Sequence, residues 1–578
     1  MPKILLNGWA QGIWTAGPPN KIPANMLTRM TNVLVQDEGT VATRTGGQSV
    51  LALDSTVDGI FIAGLHFYKR GTTIYDSSGT ALSIIQTGNQ LRAAAAPALG
   101  VQNDLVFFPG AMKKVYLGAV SKWGITDVPA APVATDAAVA GSLTGNYTYK
   151  TAFYASVTHT LGALSPESNN VNVVGSEITV SNLPLICSDP QIDTVNIYRS
   201  QGGITGAWYF VDSVPFGVAT FLDIIGDTGL GDQVNDNTIS PPTCNVAGRY
   251  KQVMLAADII ANPRYVSPSQ PSMPEDFDVT ILQQVMDAGD TAVFIIEMGD
   301  YAVVFGRRSI YFFQQDTSGI IYTAKVISGK GTTSGNSVSM GDAGIYFLSE
   351  DGVYVLAGAN VTKVSDNIDG LFRGKDRGGM SLIADNTQVS GDFIGGRYYL
   401  TYPGVDGQQH TAIFNERKGR WKHYTGWNYT VPPDSGVLPI AGLSGLVMQH
   451  DFVSPNDAGT AITSELGFVL SSAMTALMEI RTFRVGLESS GTVTVGFYDE
   501  DVLLYSVDLV APTFDLSYVK YSLPLGLYFL QPEVRLSSTS PFTLKMFEAD
   551  VNYVRKYEAD YTRQQSTLDA TQAVGGSQ

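Results

Sequence analysis

Cys187 and Cys244 are the two cysteines in 578 residues. No disulfide framework or cysteine-based zinc site can be built from them, and both are read as reduced thiols. Charge is scarce too. Charged residues make up 15% of the chain, against roughly 25% in typical soluble proteins. A charge-poor surface rich in Tyr, Thr, Ser and Asn suits a protein largely covered by partners. Positive charge is the scarcer sign, with 36 Lys and Arg against 53 Asp and Glu and a net charge of −17. Such a surface repels phosphate and argues against a dedicated nucleic-acid binder, although an acidic channel would let DNA slide without sticking. No apolar run reaches the roughly 18 residues of a membrane helix, so no membrane span is expected. Met1 to Trp14 carries one Lys and no signal-peptide core, so synthesis and folding in the cytoplasm are expected.

Helical periodicity is nearly absent. What the chain has instead is β-hairpins. The clearest is Gly344-Ile345-Tyr346-Phe347-Leu348-Ser349-Glu350-Asp351-Gly352-Val353-Tyr354-Val355-Leu356, two strand-favouring runs around an Asp-Gly turn. Variants recur at Tyr301 to Phe305 with Ser309 to Phe313, and at Arg397 to Thr401 with His410 to Phe414. One hairpin cannot bury its apolar face, so a series must stack around an axis or sheet on sheet. Hydrophobic content of 44% and aromatic content of 10% supply the cores, and the length points to about three or four domains.

Composition divides the chain. Residues 1–50 form an arm ending in a hairpin, with turns at Asn7-Gly8, Gly17-Pro18-Pro19-Asn20 and Ile22-Pro23. Residues 51–128 begin a β-propeller. Val128 to Ala140, rich in Ala and Pro, reads as a linker into a β-sandwich over 129–242, which the linker Ser240-Pro241-Pro242 closes. Residues 243–442 continue the propeller and 443–560 form a third, sandwich-like β-unit. Residues 561–578 are polar and form an extended or disordered arm.

Enzymatic chemistry is hard to assemble from these residues. There is no Gly-x-Ser-x-Gly elbow, and the histidines His66, His159, His410, His423 and His450 are scattered. Glu350, Asp351 and Asp300 could serve a glycosidase, but they sit beside Gly in predicted turns, where Asp is favoured for its local backbone hydrogen bonds. Asp223, Asp227, Asp232 and Asp236 form an acidic run that could hold Ca²⁺ but lacks the EF-hand order, and an acidic turn is the plainer reading. Gly329-Lys330-Gly331-Thr332-Thr333-Ser334-Gly335 lacks the phosphate-loop order. Arg307-Arg308 and Arg417-Lys418-Gly419-Arg420 read as solvated turns, with subunit or DNA contact as alternatives, and Trp421 and Trp427 as packing residues. No catalytic residue, cofactor or metal is assigned.

Three ordered segments carry a family likeness: Ile22-Pro23-Ala24-Asn25 with Asn32-Val33-Leu34-Val35, Gly39 and Arg44-Thr45-Gly46; Phe347 to Tyr354; and Phe414-Asn415-Glu416-Arg417-Lys418-Gly419-Arg420-Trp421. With them the chain resembles the tail nozzle, or tail-hub, proteins of short-tailed phages. The segment around Asn196-Ile197-Tyr198-Arg199 and Phe221-Leu222-Asp223 is similar to fibronectin type III-like modules. The resemblance implies an all-β fold, a β-propeller interrupted by an immunoglobulin/fibronectin III-like sandwich. It implies a non-enzymatic virion subunit, assembled in the host cytoplasm into a homohexameric tube. That tube would dock on a tail adaptor (head–tail connector), carry fibres, spikes or a plug, and pass DNA without reading its sequence. Its structural motif residues would be Asn32, Arg44, Gly46, Asp351, Gly352, Asn415, Arg417 and Trp421. The alternative is a glycan-binding or polysaccharide-degrading tail protein.

Overall fold

The computed structural model describes residues 3–554 except 18–20, 24, 53–58, 63–65, 77, 86–92, 96–104, 108–112, 117–118, 204–205, 279–283, 317–320, 376–377, 427–439, 444–445, 451–453, 471–476, 500 and 511–519. Trp427, Pro18-Pro19-Asn20 and the 561–578 arm lie outside the described residues. The chain is all-β, a succession of largely antiparallel sheets with a few short 3-10 turns. It divides into two compact units, Met1–Arg70 with Thr333–Gln578, and Gly71–Thr332.

In the first unit, Ser339–Met340, Ile345–Ser349, Gly352–Ala357 and Asn360–Lys363 make an up-and-down sheet. Both central strands are buried along nearly their whole length, as their continuous apolar runs require of a sheet covered on both faces. The turn is shifted from the expected Asp-Gly pair. Ser349 pairs with Gly352, so Glu350-Asp351 is the two-residue loop and Gly352 opens the next strand. Glycine is still needed there, at φ 146, where a Cβ would meet Ser365 Oγ at 2.4 Å.

A second meander follows: Ser390–Ile394, Arg397–Pro403, Gln409–Asn415 and Arg420–Thr425. The short strand Arg29–Thr31 then runs parallel to Arg420–Thr425, with Thr31 opposite His423, and antiparallel to Ser464–Val469. Through it the sheet continues into Pro532–Ser538, Thr492–Asp499 and Val502–Val510. A seven-stranded sheet is centred on Phe542–Val554. That strand pairs along its length with Leu477–Ser489 and also takes Lys3–Leu6 and Val41–Thr43. The described residues of 1–50 and of 443–554 therefore share sheets and one core, in which Phe483, Phe497 and Phe547 pack ring against ring and Trp9 lies 5.3 Å from Phe468.

The second unit holds further meanders. Ala93–Ala95, Leu105–Phe107, Lys113–Tyr116 and Ala119–Lys122 form one, and Ala292–Met298, Tyr301–Gly306, Ser309–Gln315 and Ile321–Ser328 another. Cys244–Tyr250, Val253–Ile259, Asn262–Gln270 and Met273–Asp278 lie between those two in sequence. Two more sheets lie between Trp123 and Ile239. One is Val133–Tyr147, Val171–Ser181 and Phe221–Asp223; the other is Thr160–Leu161, Tyr149–Ala155, Thr194–Arg199, Trp208–Pro215 and Gln233–Val234. Leu143, Ile178 and Val180 from the first share a core with Tyr149, Phe153, Val195 and Ile197 from the second.

The linker expected over Val128 to Ala140 is corrected by this structure. Its second half belongs to a 15-residue strand, Val133–Tyr147. Register shifts between Asp136, Ala140 and Leu143, with Ala138 left-handed at φ 55, break the alternation by which a strand is read.

Candidate functional site

The motif residues nearest the N-terminus converge on one buried polar clamp in the first unit. Asn32 adopts a left-handed φ of 55, which Asn tolerates better than most residues. Its side-chain amide donates to Thr425 Oγ1 and to the Thr463 carbonyl, both at 2.8 Å, and its Oδ1 accepts from Arg44 Nε at 3.0 Å. Arg44 then forks onto Asp457, with Nη1–Oδ1 at 3.0 Å and Nη2–Oδ2 at 2.6 Å, the bidentate geometry only guanidinium supplies. Gly46 lies against the same segment, where a Cβ would fall 1.8 Å from the Asn456 carbonyl oxygen.

The later motif residues act more locally. Trp421 is fully buried, packs 5.1 Å from Phe414 and donates its indole N–H to the Val364 carbonyl at 2.7 Å. Asn415 closes its turn by accepting from the backbone N–H groups of Lys418 and Gly419. Asp351 accepts from the Tyr354 hydroxyl at 2.9 Å. Arg417 is exposed at the turn's tip. The arginine that ties segments together is Arg420, donating to the carbonyls of Ala10 at 2.7 Å and Val35 at 2.8 Å. Its place as a strand residue directly before Trp421 was the available signal.

His410 and His423, read as scattered in the sequence, are stacked neighbours. His410 Nδ1 lies 2.9 Å from His423 Nε2, and His410 Nε2 lies 3.0 Å from both Asp406 oxygens. At the other end His423 Nδ1 faces Thr31 Oγ1 at 3.4 Å. A neutral pair satisfies every contact if Asp406 accepts from His410, His410 accepts from His423, and His423 accepts from Thr31. Burial, then the adjacent His410, brings His423 down to about 3. The chain resembles a hydroxyl–imidazole–carboxylate relay, but His423 is fully buried and supports the parallel bridge to Thr31.

The acidic run serves the second unit's own cations. Arg199 and Asp223, both fully buried, pair at 2.5 Å across the two facing sheets. Tyr149 donates to Asp223 at 2.7 Å, and Asp227 takes the other arm of Arg199 at 3.0 Å. Asp236 holds Lys150 at 2.6 Å, and Asp232 is exposed. Glu350 is exposed in its turn. Asp300, with a 79% exposed side chain, lies 3.5 Å from Lys251. At Gly331 a Cβ would meet the Gly306 carbonyl oxygen at 2.3 Å, so this glycine answers to a close backbone approach. The backbone N–H groups of Arg307 and Arg308 rest on Asp290 while their side chains are exposed. Cys187 donates its thiol to Asp127 at 3.1 Å, and burial pushes the Cys244 thiol up to about 12.

Sequence reasoning missed a further buried charge cluster altogether. Lys114, Glu275 and Asp276 are all at least 96% removed from solvent. Lys114 pairs with Glu275 and donates to Thr160 Oγ1 at 3.1 Å; Glu275 also accepts from the Gly124 N–H at 2.6 Å. Asp276 receives a backbone hydrogen bond from Leu161, while its Oδ1 has no partner. Burial, then the neighbouring Glu275 charge, raises its carboxyl well above the ordinary range. It lines a cavity of about 370 Å³ with Tyr154, His159, Leu161, Asn196, Tyr198 and Met273. A lone Glu-Asp pair inside a strand carries no spacing signature, which is why it was not legible.

No family model matches the sequence, and no curated protein does. Among solved structures the chain has distant matches to β-propellers. One is the WD40 domain of Toxoplasma gondii coronin, with 8% identity and a TM-score of 0.22 over 64% of this chain and 82% of that one. Another is Kluyveromyces lactis Hsv2, with 9% identity and a TM-score of 0.24 over 64% and 98%. A Bacillus subtilis family 43 arabinoxylan arabinofuranohydrolase matches at 9% identity and 0.20 over 75% and 96%. At such scores the likeness carries no argument about activity.

Proposed function

We propose that this chain is a structural subunit of a short-tailed phage tail nozzle. In this reading its meanders are blades of a β-propeller, interrupted over about 129–242 by a fibronectin III-like sandwich, with a sandwich-like C-terminal unit. Close approach of the segments that flank 129–242 supports an insertion: a Cβ on Gly124, just before it, would meet Pro241 Cδ at 2.1 Å, so the way in and the way out run side by side.

The observation that carries the reading is the use to which the family-like residues are put. Asn32, Arg44, Gly46 and Trp421 are engaged in fastening distant parts of the first unit to one another, as an assembly part under mechanical load requires. The tube would be homohexameric, dock on a tail adaptor and carry fibres, spikes or a plug. A net charge of −17 suits a bore that DNA crosses without adhering. Mass photometry and cryo-electron microscopy of the purified chain, alone and with the adaptor, test this. Rings of six copies around an open bore are expected; monomers under both conditions would overturn it.

A further inference from the structure

Basic residues are the minority in this acidic chain, yet four of them share one cavity wall in the first unit. Arg397 and Arg420 flank Asn415 in a cross-strand row of the second meander: Arg397 lies opposite Asn415, and Asn415 opposite Arg420. Lys422, two residues beyond Arg420 on the same strand, falls on the same face. These residues line a cavity of about 150 Å³, together with Lys418 and Asp37. Arg397, Asn415, Arg420 and Lys422 are half-buried, whereas Asp37 and Lys418 are exposed, so the cavity has a sheltered floor and an open mouth.

The wall cannot neutralise these cations by itself. Asp37 is the one acid among the described residues that line it, and Asp37 pairs with Lys418. Among the described residues neither Arg397 nor Arg420 has a carboxylate at ion-pair distance. Arg420 donates to the carbonyls of Ala10 at 2.7 Å and Val35 at 2.8 Å, which fix the group without cancelling its charge. Arg397 meets the Tyr399 hydroxyl. Burial, then the nearby Arg397, holds Arg420 below its ordinary value, but a guanidinium keeps its charge at neutral pH. Lys422 donates to the Tyr424 hydroxyl at 2.9 Å. Burial, then Arg397, Arg420 and Arg44, holds its ammonium well below the ordinary range. With Lys422 counted as neutral and Lys418 matched by Asp37, the two guanidinium charges remain uncompensated. Asn415 adds a third donor: its Oδ1 accepts from the Lys418 N–H at 3.0 Å, while its Nδ2 has no partner among the described residues.

We propose that this cavity is a binding site for a dianion of the phosphate class, held between Arg397 and Arg420 with the Asn415 amide as a further donor. Guanidinium forks match the oxygens of phosphate, and a dianion matches the surplus of two charges. A neutral sugar would leave both charges unbalanced; a carboxylate or a DNA phosphodiester would leave one. The dianion is either free phosphate or a phosphomonoester whose remainder leaves through the exposed mouth. The inference does not depend on the virion reading.

The test is calorimetric titration of the full chain, in phosphate-free buffer at moderate salt, with inorganic phosphate, with AMP and with acetate. Saturable one-to-one binding of phosphate or AMP is expected, at least about ten-fold tighter than that of acetate. Tighter binding of phosphate would assign the site to the free anion, and equal or tighter binding of AMP to a phosphomonoester. Arg397→Gln removes one of the two surplus charges and should weaken binding at least about ten-fold. Because that variant also loses the Tyr399 contact, Arg397→Lys is measured beside it; it keeps the charge without the fork and should give a smaller loss. Arg417→Gln removes an exposed cation at the neighbouring turn, outside the cavity wall, and should leave binding unchanged. Absence of saturable phosphate and AMP binding, acetate bound as tightly, unchanged binding by Arg397→Gln, or an equal loss in Arg417→Gln would overturn the proposal.

Discussion

Arg44 in the first unit and Lys114 in the second are both buried cations, and the two are provided for differently. In the first unit Arg44 meets one carboxylate in a fork, and Asn32 takes its remaining edge. In the second, Lys114 meets one carboxylate while a second, Asp276, stands beside it unpaired. A matched buried pair orders the segments that supply it; an unmatched acid carries an electrostatic penalty that protonation relieves. The first arrangement fastens two segments, and the second holds a carboxyl whose titration burial has raised.

Removing the cations should separate the two most strongly. Lys114→Met leaves two buried acids with no counter-charge, and a loss of about 5 kcal/mol is expected in chemical denaturation. Arg44→Met strands only Asp457, whose side chain is 11% exposed, and should cost about 3 kcal/mol. Equal losses would mean that Asp276 does not enter the balance. Gly46→Ala pushes a methyl group into the Asn456 carbonyl and should cost about 1–3 kcal/mol through displacement of the neighbouring Asp457.

Acid should act on the first unit through His423. Its folded value of about 3 lies below the ordinary 6.5, so between those values the unfolded chain holds a proton that the folded chain does not. Stability therefore falls as pH drops from about 6.5 towards 3, and melting curves of His423→Gln should show a flatter slope over that window. Asp276 has the opposite sign, because its folded value is raised. Its contribution falls as pH rises above the ordinary carboxylate range of about 4. Asp276→Asn should then raise the melting temperature at neutral pH by about 2–4 °C for each kcal/mol relieved, with the gain shrinking towards pH 4. A lower melting temperature at neutral pH would show that Asp276 already has a counter-charge.

Much of the strand pattern was legible. The run Thr194–Arg199 and the hairpin pair around Glu350-Asp351 stand out because apolar residues and turn formers mark them locally. Val133–Tyr147 was hidden by its bulges and small residues, and Gly352 opens the second strand, where its φ of 146 and the crowding by Ser365 both demand glycine. Arg417 was favoured over Arg420, since a spaced motif says nothing about which arginine lies on the strand and which at the tip.

Composition and local alternation by themselves determined an all-β chain, acidic, poor in thiols and built from hairpins, because strand period and turn chemistry act between near neighbours. Pairings of Arg44 with Asp457, His410 with His423, and the stranding of Asp276 were decided only by tertiary structure. Each depends on residues brought together across a core, and burial, not identity, sets whether a charge there is matched, silenced or left waiting for a partner.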